Sequence, residues 1–189
     1  MTKFLRHLPA ITLLLVLIGW TFFLYFFPPA EAVETLGIRN GYALAFVLAF
    51  FGGLSTFITV PYHLAVATLG AGGLNPLFLG IAAGTGIFLG DSISYLIGYR
   101  GHGIVPSRLQ KIFQRFCGWC LTHPTWLAST VIFLYGALVP FSNDFITISM
   151  GLARFPYWRL MIPLGLGNVV FNTGAALAGA YGLQAIFHW

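Results

Sequence analysis

A chain of 189 residues with 58% hydrophobic and 7% charged side chains, and a mean hydropathy of +0.88, has too little polar surface for a soluble globule. Its net charge of +5 is scattered over short connecting segments with no aromatic-interleaved basic stripe, which points to orientation in a bilayer and not to nucleic acid. Long apolar runs without alternation predict an all-α integral membrane protein, a polytopic bundle forming one domain over residues 1–189, and not a barrel.

Lys3 and Arg6 precede an apolar run over 8–27, about the 20 residues that cross a hydrocarbon core. It reads as a retained first transmembrane helix with a cytoplasmic N terminus; a secretory signal cut near Ala30-Glu31-Ala32 is the rival. Residues 28–40, with Glu31, Glu34 and Arg39, then fall outside as a connecting segment. Apolar stretches follow over 41–60, 62–74 and 76–99, and Arg100, Arg108, Lys111 and Arg115 place the next connection in the cytoplasm. Within residues 104–122, Leu109, Ile112, Phe113 and Phe116 line one face of an amphipathic interfacial helix opened by Pro106.

The next run, 125–150, is interrupted near its middle by Pro140 and Ser142-Asn143-Asp144, and the loop after it is again basic through Arg154 and Arg159. A single crossing would put those arginines outside, so the charges favour a helix that enters, breaks and returns. Residues 160–187 then cross once, with Gly165, Gly167, Asn168, Asn172 and Gly174 as a small, polar face.

The two halves resemble each other. Val60-Pro61-Tyr62 and Val139-Pro140-Phe141 each precede a glycine eleven residues past the proline, Gly72 and Gly151, then Pro76 and Pro156, then a glycine-rich run. If one hairpin enters from each side of the bilayer, the halves form two inverted re-entrant hairpins, an arrangement associated with transport.

Only two acids, Asp91 and Asp144, lie inside the expected membrane segments, where a charge costs about 2.5–3.5 kcal/mol on insertion scales. Asp144, with Ser142 and Asn143 at the helix break, reads as a polar site for substrate or ion, or as the cap of the returning half-helix. Asp91, two turns before Arg100, needs a partner yet lies near enough to the cytoplasmic face to be wetted. His63, beside Pro61 at the first break, reads as a titrating partner or a packing residue.

Residues 90–103 read GDSISYLIGYRGHG and residues 150–168 read MGLARFPYWRLMIPLGLGN. With the order of hairpin, glycine-rich helix, basic linker and second proline-broken hairpin, the chain resembles the DedA family, also called the VTT or SNARE-associated Golgi protein domain, over residues 41–187. The resemblance implies a lipid transporter of the cell membrane, a flippase or scramblase acting on a phospholipid or polyprenyl-phosphate lipid, without a cofactor. Proton coupling through Asp144 and Asp91 is part of the expectation. Two departures stand out. The bacterial family's first-hairpin acid is replaced by Pro61-Tyr62-His63-Leu64, and the arginines that usually bracket the second proline are Ala137 and Asn143. Residues 140–146 look closer to the proline-and-asparagine hairpins of eukaryotic-type scramblases.

Other classes have some footing. A small ion-coupled exporter fits the same scaffold. Cys117-Gly118-Trp119-Cys120, with His102 and His123, permits a membrane thiol oxidoreductase or a metal site, though no second cysteine pair is present to relay electrons. No nucleophile elbow, zinc-protease motif or phosphate loop supports an enzyme.

Overall fold

The computed structural model describes residues 29–54, 62–101, 117–139 and 142–183, with Gly19 and Arg115 besides. Among these the chain is helical, with no strand: α1 (Pro29–Leu36), α2 (Ile38–Leu54), α3 (Tyr62–Ala71), α4 (Pro76–Arg100), α5 (Thr125–Leu138), α6 (Asp144–Leu152) and α7 (Tyr157–Leu177), the last continued by a π-helical turn, Ala178–Leu183. Pro76–Arg100 and Tyr157–Gly182 are long and apolar enough to cross a membrane. Most of the expected helix over 8–27 and of the amphipathic segment 104–122, and the break prolines Pro61 and Pro140, lie outside the described residues.

Asn75 starts α4: its Oδ1 accepts from the N–H groups of Leu77 and Phe78 at 3.0 and 3.3 Å, and Pro76 fills the first helical position, where no N–H is needed. The connection expected over 28–40 is instead helical. Gly37, at φ 77°, breaks it, and the axis turns by 103° between α1 and α2. The last long helix begins at Tyr157, earlier than its hydropathy suggested, because Trp158 and Arg159 form an exposed first turn.

The two long helices cross antiparallel through small residues. A Cβ on Gly80 would meet Thr173, one on Gly84 would meet Val169, and one on Gly165 would meet Phe88. Such close backbone approach is how helices associate where lipid removes the hydrophobic drive between them. α2 runs parallel to α4, with Gly86 against Phe46 and Gly90 against Phe50 and Gly53; α5 runs parallel to α7, with Gly167 against Phe133 and Ala137. Each short helix packs on the long helix of the other half: α3 on α7 through Gly70 and Gly179, α6 on α4 through Gly151 and Gly98.

These contacts repeat with a fixed register. Gly84, Gly86 and Gly98 find their counterparts in Gly165, Gly167 and Gly179, and Gly70 in Gly151, each 81 positions on. Their neighbours shift alike: Gly98 faces Ile148 while Gly179 faces Ala67, and Gly151 faces Tyr95 while Gly70 faces Ala176. The turns between short and long helix share one hydrogen-bond pattern. Leu74 N–H donates to Leu69 O at 3.2 Å and Phe155 N–H to Met150 O at 2.9 Å, and Gly73 and Arg154 both hold positive φ, 92° and 54°. The register corrects the pairing expected from the prolines, since Gly151 matches Gly70 and not Gly72, and Tyr157, not Pro156, matches Pro76. Proline spacing misled because the first helices of the halves follow a different register: Phe46 and Phe50 against Gly86 answer to Phe133 and Ala137 against Gly167.

Each half also has its own apolar core. One holds Val66, Leu69, Leu74, Leu79 and Ala83 with Ala45 and Ala176; the other holds Met150, Phe155, Leu160 and Leu164 with Ile132 and Tyr95.

Candidate functional site

Where α6 begins, its first residues meet the middle of α4 and of α7. Asp91 is placed by α4, and three residues on, over the same face, α4 also presents Ser94. α7 contributes Asn168 and, one turn later, Asn172. Asp91, Ser94, Asp144, Thr147, Asn168 and Asn172 are all buried.

Asn143 is the hub. Its Nδ2 donates to Asp91 Oδ2 at 2.9 Å and to Asn168 Oδ1 at 3.0 Å, while Asn168 Nδ2 donates to the same carboxyl oxygen at 3.2 Å. Asn143 thus ties the start of α6 to both long helices. Asp144 is held separately: Ser94 Oγ donates to its Oδ1 at 2.5 Å and Ser142 Oγ to its Oδ2 at 2.9 Å. Thr147 Oγ1 closes onto Asn143 O at 3.1 Å, and Asn172 Nδ2 onto Asn168 O at 2.7 Å.

Four buried polar atoms have no hydrogen-bond partner among the described residues: Asp91 Oδ1, Asn172 Oδ1, Thr173 Oγ1 and His63 Nδ1. Interior polar groups are nearly always paired, so these four atoms keep hydrogen-bonding capacity that the described residues leave unused. His63 lies at the start of α3, its ring 3.8 Å from Tyr62 and 5.0 Å from Phe171 on α7.

The structure therefore brings Asp91, Ser142, Asn143 and Asp144 together at the start of α6, in two adjacent hydrogen-bonded groups, and leaves Arg100 out of both. Arg100 is exposed at the end of α4, about 13 Å along the helix from Asp91. Asp91 is also not wetted as expected, being 1% exposed beneath Asn143 and Asn168. The capping reading of Ser142-Asn143-Asp144 changes too. Asn143 occupies the cap position with helical backbone and no side-chain cap bond, because its amide is committed to Asp91 and Asn168. Ser94 was not anticipated. The available signal was its three-residue spacing from Asp91 on the most polar face of α4.

Cys117 and Cys120 are buried free thiols packed among Tyr95, Ile132, Met150 and Phe155. Burial pushes the Cys117 thiol up and the Cys120 thiol to about 11, away from the lowered range of activated thiolates. His123 Nδ1 lies 2.8 Å from Trp119 O, and among the described residues no three His, Cys, Asp or Glu side chains converge on a metal position; His102 lies outside them.

In comparison with known proteins, the chain matches no family model, no curated protein and no solved structure.

Proposed function

We propose that this chain is a multi-pass lipid transporter of the cell membrane, a flippase or scramblase of the DedA type, whose two halves form inverted re-entrant hairpins. Support for the hairpins comes from helix direction. α5 is parallel to α7, and α6 ends at the tight turn into α7, so that pair enters and leaves at one end of the bundle. α2 and α3 bear the same relation to α4, which is antiparallel to α7, so the first pair uses the opposite end. By the positive-inside rule, Arg100, Arg154 and Arg159 support a cytoplasmic side for the second pair's end, and Glu31 and Glu34 on α1 belong to the other, in keeping with the proposed cytoplasmic N terminus.

The observation that carries the reading is the Asn143 junction, a buried polar network at the crossing of the two long helices and tied to a hairpin tip. Ion and substrate groups in repeat-built transporters are handled at such mid-membrane helix breaks. The two buried carboxyls there, Asp91 and Asp144, are the groups through which the proposal couples transport to protons. The test is leaflet exchange of fluorescent lipids in vesicles containing only this protein. Exchange is expected, with a pH-dependent rate that Asp144→Asn abolishes; no exchange at any pH would sink the reading.

A second reading, a small ion-coupled exporter, draws on one observation. The described network has amides, hydroxyls and carboxyls but no guanidinium, which suits a cation better than a phosphate. Export of an amphiphilic cation by vesicles that exchange no lipid would select it.

A further inference from the structure

The exposed side of α7 carries a ridge, Ile162 and Leu166, 53% and 57% exposed, with a groove on either flank. One groove, about 320 Å³, runs between α7 and α5, with Ser129, Thr130 and Phe133 as its far wall and Pro163 on its floor. The other, about 310 Å³, runs between α7 and α4 past Gly84, Thr85 and Phe88, with Gly165 as its floor. Gly84, Gly165 and Pro163 are all buried at the bottom of these grooves. Both grooves are dry in character. The hydroxyls of Thr85 and Thr130 are already committed to the carbonyls of Ile81 and Trp126 at 2.7 and 2.8 Å.

One turn above the ridge, on the same face of α7, stands the exposed Arg159. Trp158 and, at the start of the parallel α5, Trp126 are 63% and 70% exposed at this level, as indoles are at a membrane–water boundary. From Ile162 to Val169 the grooves descend about 10 Å, within the roughly 15 Å of one hydrocarbon leaflet.

We propose that this surface is a seat for one anionic two-chain lipid of the leaflet on the basic side, with a chain on each flank of the Ile162–Leu166 ridge and its phosphate at Arg159. The proposal rests on the membrane reading above and narrows its substrate class to a diacyl lipid, since a single-chain isoprenoid phosphate would fill one groove only. The internal repeat makes the seat one-sided. The counterpart of Arg159 in the register is Phe78, set edge-on to Tyr42 at 6.3 Å, so the opposite leaflet meets an aromatic pair where this one meets a cation.

The test is native mass spectrometry of the full chain with dioleoyl phosphatidylglycerol, dioleoyl phosphatidylcholine and undecaprenyl phosphate offered in turn, with leaflet exchange measured on the same preparations. Phosphatidylglycerol should be retained about five-fold over phosphatidylcholine, the effect of one basic residue at an anionic surface. Arg159→Gln should erase that preference. Thr85→Phe and Thr130→Phe, at lipid-exposed positions that leave the core alone, should each lower retention of both diacyl lipids about ten-fold, with unchanged melting temperatures as the control for folding. Retention indifferent to all three substitutions overturns the seat, as does undecaprenyl phosphate held as tightly as phosphatidylglycerol. Retention that follows the predicted pattern in a protein that exchanges no lipid would keep the seat and remove the transport reading. Exchange that persists while retention ignores the substitutions would do the reverse.

Discussion

The halves α2–α4 and α5–α7 share a backbone and differ in their chemistry. Glycines at equivalent positions set the same close approaches, and the same hydrogen bonds close both turns. At the polar positions the register pairs Asp91 with Asn172, Asp144 with His63, Asn143 with Tyr62 and Ser94 with Ala175. One half-site thus holds two carboxyls tied by amides and hydroxyls, while the other holds a tyrosine, a histidine and an asparagine; unpartnered atoms occur in both, Asp91 Oδ1 in the first and His63 Nδ1 and Asn172 Oδ1 in the second. The geometry is carried by residues without side chains, and the asymmetry by the few polar ones. The repeated scaffold thus keeps its packing in both halves while only one half-site carries the acids.

The largest effect should come from breaking the shared part. Gly70→Val and Gly151→Val each drive a side chain into a backbone carbonyl of the facing long helix, Ala176 in one half and Tyr95 in the other. Both should cost roughly 3 kcal/mol, read as lost folded yield in detergent. A large loss from only one of them would mean that the halves are not packed alike. Sharpening the difference comes next. Asn143→Leu strips Asp91 and Asn168 of their shared donor and should cost about 2 kcal/mol in thermal or denaturant unfolding. Tyr62→Phe at the counterpart position removes one hydroxyl and should stay within about 1 kcal/mol.

Much of this architecture was legible in the sequence. The apolar stretch 76–99 matched α4 to within one residue, the interruption at 140–144 separated α5 from α6, and valine-proline-aromatic pairs with trailing glycines pointed to a repeat. Its register was not legible. It resides in pairs of glycines on different helices, and a single sequence does not say which carbonyl a glycine will face. Hydropathy also missed α1, since Pro29–Leu36 carries Glu31 and Glu34 and has no apolar run, yet Val33 packs against Gly72. For the site, the acids announced themselves by their rarity. The role of Asn143 did not, because Ser-Asn-Asp after a proline is so apt for capping that only the positions of Asp91 and Asn168 reveal where the amide goes.

The smallest effect lies at the two turns. Gly73 and Arg154 share a left-handed conformation, but only the arginine opposes it with a side chain, its guanidinium 5.3 Å over the Tyr99 ring. Gly73→Ala should destabilise by about 1 kcal/mol, whereas Arg154→Gly should be neutral or stabilising by less than that, both read by thermal unfolding. Equal losses at the two positions would show that the turns are not equivalent.

The inverted arrangement is tested most directly by two-sided labelling of single cysteines in intact cells, in a Cys117→Ser, Cys120→Ser background. Ile38→Cys, 67% exposed at the start of α2, and Trp158→Cys, 63% exposed at the start of α7, sit at opposite ends of the bundle. An impermeant maleimide added outside should label Ile38→Cys in intact cells and reach Trp158→Cys only after the membrane is opened. Labelling of both from the same side would contradict the inverted halves.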